Sequence, residues 1–220
     1  YGFIGAHIAQ ILAKPELQNH VTVLDLKISE GTTGNDFGLE TYDNIETVAG
    51  SVLDPESFKR LPSTFNHIIH AAGFLGIQNV AKNQALTLDT NILGTKNCLD
   101  FASQQETTPS VVYFSTSEIY GIQCAGPAEY EPAIIPSEGA RWCYATAKIA
   151  GEYYLRAYNQ QFGVKGGIVR PFNVFGPHRY GSNAITSLAT RAVRNEDLEI
   201  SGDGRQVRAW CYIDDFCDGV

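Results

Sequence analysis

The chain has 220 residues, 44% of them hydrophobic, which is enough to bury a sizeable core. No apolar run approaches the ~20 residues of a helical membrane span, and no signal-peptide pattern is present. A net charge of −8 argues against general nucleic-acid binding. The charge is uneven: residues 1–140 carry 6 Lys/Arg against 16 Asp/Glu, and residues 141–220 carry 10 against 8. An anionic ligand is therefore better received by the second part. The five cysteines (Cys98, Cys124, Cys143, Cys211, Cys217) are odd in number and lack C-x-x-C spacing. They read as reduced thiols of a cytoplasmic protein, not as a metal site or disulfide frame.

Tyr1-Gly2-Phe3-Ile4-Gly5 reads as a glycine turn opening a helix. Such glycines let the backbone turn tightly and approach a pyrophosphate seated on the helix N-terminus, or merely allow close packing. Residues 21–25 form a strand ending in Asp25, 20 residues after Gly5. An acid there accepts hydrogen bonds from ribose hydroxyls and repels a 2′-phosphate, which favours NAD over NADP; otherwise it caps a turn. Residues 29–44 read as a loop. A strand over 45–49 runs into Gly50-Ser51-Val52, and Asp54-Pro55-Glu56 starts a short helix with proline at its first position. The strand over 67–72 is broken by Gly73, and Ala71 and Ala72 are small enough to let a cofactor pass over its end. His67 and His70 flank an apolar pair and read as structural.

Residues 80–104 form a long amphipathic segment. An apolar strand over 111–115 leads to Ser115-Thr116-Ser117-Glu118 and then to a loop over 121–139 rich in Gly, Pro and Glu. A helix over 141–162 carries Tyr144 and Lys148, four apart and on one face. Tyrosine titrates near about 10, too high for a base at neutral pH. A cation one turn away stabilises the phenolate, and an oxidised nicotinamide adds to this. Such a tyrosine takes a proton from an alcohol while hydride leaves the adjacent carbon. A strand over 164–169 ends at Arg170-Pro171-Phe172-Asn173. A loop from Gly176, a helix over 184–194, a Gly202-Asp203-Gly204 turn and a strand from Arg208 into a helix at Asp214 complete the chain. Strands alternating with helices predict an α/β fold, a doubly wound parallel sheet with ligands at the carboxyl ends of its strands. The chain contains no methionine and opens inside a motif, so it reads as lacking a first strand and a C-terminal segment.

Gly2-Phe3-Ile4-Gly5, Asp25, His70-Ala71-Ala72, Asn91-Ile92-Leu93-Gly94-Thr95, Ser115 to Gly121, Tyr144 with Lys148, Arg170 to Asn173 and Arg208 to Asp215 occur in one order over nearly the whole chain. In this they resemble an extended short-chain dehydrogenase/reductase of the nucleotide-sugar epimerase/dehydratase/decarboxylase group. The resemblance implies a Rossmann-type NAD-binding domain over 1–175 and the start of a smaller substrate domain over 176–220. It places Ser51, Val52, Ala71, Ala72, Asn91 and Ser115 beside NAD with the glycine turn, Asp25, Tyr144 and Lys148. Ser51 stands where the family usually has an aspartate holding the adenine. Asn91 resembles the buried amide that braces the active-site strand, and Gly94 permits close packing. Ser117, Asn173, Arg179 and Arg208 are the implied contacts to a nucleotide-diphosphate sugar, arginine suiting phosphate through its planar fork. A homodimer through the segments 80–104 and 141–162 is also implied.

The same resemblance sets the expected chemistry. Oxidising a sugar hydroxyl, usually at C4, acidifies the C5 proton and turns a C6 carboxylate into a β-keto acid that readily loses carbon dioxide. The hydride is later returned, so the cofactor is not consumed. Thr116 and Tyr144 are placed to bond the 4-oxygen. Glu118 sets the branch, because simple 4-epimerases need no carboxylate there while 4,6-dehydratases and UDP-glucuronate decarboxylases carry one. Ser117 replaces the aspartate of typical NDP-glucose dehydratases. Arg141-Trp142 and the Ser182-Asn183-Ala184-Ile185-Thr186 stretch resemble the decarboxylase branch and some UDP-N-acetylhexosamine dehydratases. The expectation is an NAD-dependent dehydratase or decarboxylase of a nucleotide sugar. A 4-epimerase is the alternative, and a non-catalytic NAD-binding scaffold a second class.

Overall fold

The structure is a computed structural model and describes residues 1–30, 37–122, 128–179, 183–200 and 202–220. Parts of the expected loops over 29–44 and 121–139, with Cys124, and Ser182 of the decarboxylase-like stretch lie outside the described residues. The chain packs as two compact units. One comprises Tyr1–Val23, Glu30–Thr47 and Phe172–Val220, the other Leu24–Ser29 and Val48–Pro171. The architecture is α/β, with strands in sets of two, three and two.

In the first unit, α1 (Phe3–Leu12) buries Phe3, Ala6 and Ala9 with Phe37, Leu39 and Ile213. Those three positions of α1 recur at helical spacing, so one stripe faces the core. β6 (Asn173–Phe175) pairs in parallel with β7 (Trp210–Tyr212), Val174 opposite Cys211. β7 runs directly into α8 (Ile213–Asp218), whose Ile213 is fully buried. α7 (Ala184–Val193) is capped by Asn183, whose side chain accepts from the Thr186 N–H. β1 (Val21–Asp25) pairs with β2 (Ile45–Ala49), and both strands fall on the residues the sequence indicates.

In the second unit, β3 (His67–His70), β4 (Ser110–Phe114) and β5 (Gly166–Val169) form a parallel sheet in that order, with Val111 between Ile68 and Gly166. Parallel strands need crossover helices, and two long ones serve. α5 (Gln84–Ser103) buries Thr87, Asn91, Gly94, Thr95, Cys98, Leu99 and Ala102, a single helical stripe. α6 (Trp142–Phe162) buries Ala145, Ala147, Lys148, Gly151, Glu152, Leu155 and Tyr158 and stops at Gly163, whose φ is 73°. Leu99, Ala102, Val111, Tyr113, Leu155, Tyr158 and Val164 form the core, each large aliphatic contributing about 1.5–3 kcal/mol on burial. α2 (Lys27–Glu30) follows β1, and α3 (Pro55–Phe58) is capped by the Asp54 side chain.

Two expectations are corrected. The segment over 80–104 is two helices, α4 (Ile77–Lys82) and α5, because Asn83 leaves helical geometry at φ −133°, ψ 55° between them. The strand over 67–72 stops at His70, where pairing with Tyr113 of β4 ends.

Gly151 shows how tightly α6 meets β4. A Cβ there would stand 2.0 Å from Tyr113 Oη and 2.4 Å from its Cζ, and that ring is fully buried. Gly151→Ala is expected to cost about 1–3 kcal/mol through overpacking, read as a lower urea midpoint. Gly167→Ala, with no atom within 4 Å of its Cβ position, is the control and leaves the midpoint nearly unchanged.

Candidate active site

β4 ends at Phe114, and the next residues build the site. Thr116, buried and extended, caps a 3-10 turn over Ser117–Tyr120, its hydroxyl accepting from the Glu118 N–H at 3.2 Å. Lys148 reaches from α6 to the strand end, its Nζ donating to the Phe114 carbonyl at 2.8 Å. Lys148 is only 3% exposed, and its ammonium lies 5.9 Å from the Tyr144 ring centroid. Burial pulls its pKa down to about 8. Thr116, Glu118, Tyr144 and Lys148 are thus gathered by one strand end and one helix, as the sequence indicates.

Their electrostatics differ from the expectation at one point. The Tyr144 phenol is not acidified; burial first, then the Glu118 charge, push it up to about 12, against a hydrogen bond with Thr116. The Lys148 ammonium donates its hydrogen bond to the Phe114 carbonyl. Burial also raises the Glu118 carboxyl above its ordinary value, and the Arg141 guanidinium, 3.9 Å away and stacked on Trp142, draws it back. A high phenol, a lowered ammonium and a raised carboxyl in one cluster are the pattern of an acid–base site.

Behind the cluster lies a buried polar chain. Asn91 Nδ2 donates to the Phe74 and Thr87 carbonyls at 2.9 and 2.8 Å. Thr95 donates its hydroxyl to the Asn91 carbonyl at 2.7 Å, so His70 Nε2, 3.0 Å away, must carry the proton that Thr95 accepts. His67 bonds Ser110 Oγ at 2.6 Å, and both histidines are structural, as read from the sequence.

The remaining predicted residues fall within their own units. In the first, Gly2 caps α1 in extended geometry, and no atom lies within 4 Å of a Cβ built on Gly2 or Gly5. Close packing against the described residues therefore does not require these glycines. Asn173 Nδ2 donates to the Ala209 carbonyl at 3.0 Å, Arg179 stacks 5.4 Å over the Phe3 ring, and Arg208 is exposed. In the second unit, Asp25 Oδ1 accepts from the Lys27 N–H at 2.8 Å, so it does cap a turn. Ser51 Oγ caps the Leu53 N–H, and Val52 packs under Gly94, where a Cβ would stand 2.6 Å from its Cγ2. Ala71, Ala72 and Ser117 are half-buried, and Ser115 is buried beside Glu152. Buried Asn91 Oδ1 has no hydrogen-bond partner among the described residues, and a Cβ on Gly73 would stand 2.8 Å from it and 3.3 Å from Lys148 Nζ. Glycine is required there by the close approach of the Asn91 amide and the Lys148 ammonium.

Sequence reasoning missed Glu152, Arg170 and Tyr120. Arg170 forms a fork with the buried Glu152 carboxylate, Nε to Oε1 at 2.8 Å and Nη2 to Oε2 at 2.7 Å. Burial pushes Glu152 up, but these bonds and the nearby guanidinium charges hold it below the usual carboxylate range. The available signal was spacing: Glu152 falls four residues after Lys148, on the same buried stripe.

The parallel sheet of the second unit and the glycine turn of the first are elements of a Rossmann-type fold. The chain belongs to the NAD dependent epimerase/dehydratase family, whose profile covers residues 1–220. It is 31% identical to a UDP-N-acetyl-α-D-glucosaminuronate decarboxylase of Bacillus cytotoxicus, over 97% of this chain and 65% of that protein. A Bacillus cereus UDP-glucuronic acid 4-epimerase, solved with NAD and a fluorinated UDP-sugar, superposes with TM-score 0.86 at 27% identity, over 99% of this chain and 68% of that one. A Streptomyces venezuelae dTDP-glucose 4,6-dehydratase bound to NAD gives 0.84 at 27% identity, over 99% and 67%. The chain spans a little under two-thirds of the decarboxylase. Among the described residues no helix is long and apolar enough to cross a membrane, and the four described cysteines are free thiols.

His70 gives the site a pH signature. Burial, then the Lys148 charge, bring its pKa down from 6.5 to about 3. Between those values the unfolded chain holds more protons than the folded one. The contribution of His70 is therefore complete above about 6.5 and is lost as pH falls toward 3. The urea midpoint is expected to drop on acidification below pH 6.5, and to drop less steeply in His70→Gln.

Proposed function

We propose that the protein modifies a nucleotide-diphosphate sugar through transient oxidation at C4, followed by dehydration across C5–C6 or loss of carbon dioxide from C6. The observation that carries this reading is the Glu118 carboxyl, close enough to Tyr144 to raise its phenol and itself raised by burial. NAD, when bound, supplies the hydride acceptor and a positive charge that opposes the raised phenol. Gly2, Phe3, Ile4, Gly5, Asp25, Ser51, Val52, Ala71, Ala72, Asn91 and Ser115 are the residues that would hold it. Tyr144 takes the proton of the 4-hydroxyl, Thr116 bonds the same oxygen, and Lys148 keeps a positive charge below its pKa of about 8. Glu118 moves the proton at C5, removing it ahead of water loss or delivering it after carbon dioxide leaves. Ser117, Asn173, Arg179 and Arg208 hold the sugar diphosphate, residues 1–175 serving as the NAD domain and 176–220 as the start of the substrate domain.

A second reading, 4-epimerisation, is favoured by the likeness to the Bacillus cereus epimerase. A cytoplasmic setting agrees with the free thiols. A homodimer through α5 and α6 is supported by outward apolar groups, Leu93 at 47% and Tyr153 at 68% exposed. Tyr153→Glu in the full-length protein should then yield monomer in sedimentation; an unchanged oligomer would count against that face.

Incubating full-length protein with NAD and a panel of nucleotide sugars tests the main reading. Carbon dioxide marks a decarboxylase, a 4-keto-6-deoxy sugar a dehydratase, and a C4-inverted sugar an epimerase. Tyr144→Phe should lower turnover about 10²- to 10⁴-fold in all three cases. Glu118→Gln should spare C4 oxidation yet stop solvent deuterium from entering at C5, and in an epimerase should matter little.

A further inference from the structure

Glu152 sits on α6 one turn beyond Lys148 and is only 2% exposed. A buried carboxylate has to be paired, and the Arg170 fork does this, with Arg156 Nη2 adding a contact at 3.2 Å. Pairing Glu152 leaves Arg170 Nη1 over, and that nitrogen is also engaged. It donates to the Tyr120 hydroxyl at 3.0 Å and to the Glu129 carbonyl at 2.6 Å, and the guanidinium carbon lies 5.2 Å from the Tyr120 ring centroid. The next residue continues the pattern, since the Pro171 carbonyl accepts the Ser117 N–H at 3.0 Å. Arg170 and Pro171 therefore grip both ends of the 3-10 turn Ser117–Tyr120, and Glu118 lies between the grips. The same guanidinium grips the helix of Tyr144 and Lys148. The bonds to Tyr120 and Glu129 tie the turn to the same guanidinium that holds the helix.

We propose that Arg170, anchored by Glu152, is a positioning residue that sets the Glu118 carboxylate relative to Tyr144, so that C5 and C4 of one sugar ring are served together. This rests on the reading of Glu118 as the group that moves the C5 proton. A guanidinium suits the task because its planar fork fixes direction as well as charge, and a flexible ammonium would not.

Tyr120→Phe is the sharp test, because it removes the hydroxyl that Nη1 reaches and leaves the Arg170–Glu152 fork intact. In the full-length protein with NAD, amide hydrogen exchange over residues 117–120 should quicken about tenfold, with exchange over 142–162 unchanged. Deuterium entry at the sugar C5 should fall about tenfold, with 4-ketone formation and KM held. Arg170→Lys, which keeps the charge and loses the fork, should act in the same direction on both readouts. Unchanged exchange in the turn, or equal losses at C4 and C5, would overturn the proposal. Glu118→Gln run alongside keeps the two ideas apart. If it leaves the C5 step intact, the reading of Glu118 fails whatever Tyr120→Phe does; if it abolishes that step while Tyr120→Phe changes nothing, only the positioning role falls.

Discussion

The second unit depends on a buried ammonium tied to a strand end. Taking a lysine out of water is expensive, and the fall of Lys148 to about 8 shows that the cost is only partly offset. What offsets it is one carbonyl, Phe114 O at 2.8 Å, and the face of the Tyr113 ring at 5.2 Å. That single bond docks α6 against the end of β4. Tyr113 then returns the favour, its hydroxyl donating to the Lys148 carbonyl at 3.3 Å, through the gap that Gly151 leaves open. α6 is thus located by polar contacts at its N-terminal half and by Leu155 and Tyr158 in the apolar core at its C-terminal half. Stability and site geometry share the same few atoms.

What was legible in the sequence was local. Val21-Thr22-Val23-Leu24-Asp25 and Ile45-Glu46-Thr47-Val48-Ala49 announce β1 and β2 because β-branched runs bounded by turn residues need no distant information. The helix ending at Gly163 is equally self-contained. The break at Asn83 was hidden because apolar spacing carries on across it. β6 was hidden because its three residues are a strand only by pairing with β7, a partner far along the chain. The same distinction holds at the site. Thr116, Glu118, Tyr144 and Lys148 come from two short motifs, whereas the Arg170–Glu152–Tyr120 constellation joins residues 18 and 50 positions apart. The direction of the phenol's shift was hidden for a related reason: burial and the charge of Glu118 raise it, and neither can be read from residues 144–148 alone.

The coupling of Tyr144 to Glu118 bears on the order of events in the proposed reaction. Tyr144 and Glu118 each raise the cost of the other's negative charge, and such coupling is reciprocal. While Tyr144 is a phenolate, ready for the 4-hydroxyl proton, Glu118 is biased toward its protonated form and is a poor base at C5. Once Tyr144 has taken that proton the bias lifts, and Glu118, its side chain 34% exposed, releases its proton to solvent more readily as the new 4-ketone makes the C5 proton acidic. Arg141, at 3.9 Å, opposes the rise that burial gives the carboxyl. Coupling between the two acidic groups therefore favours one order for the proton transfers of the proposed reaction.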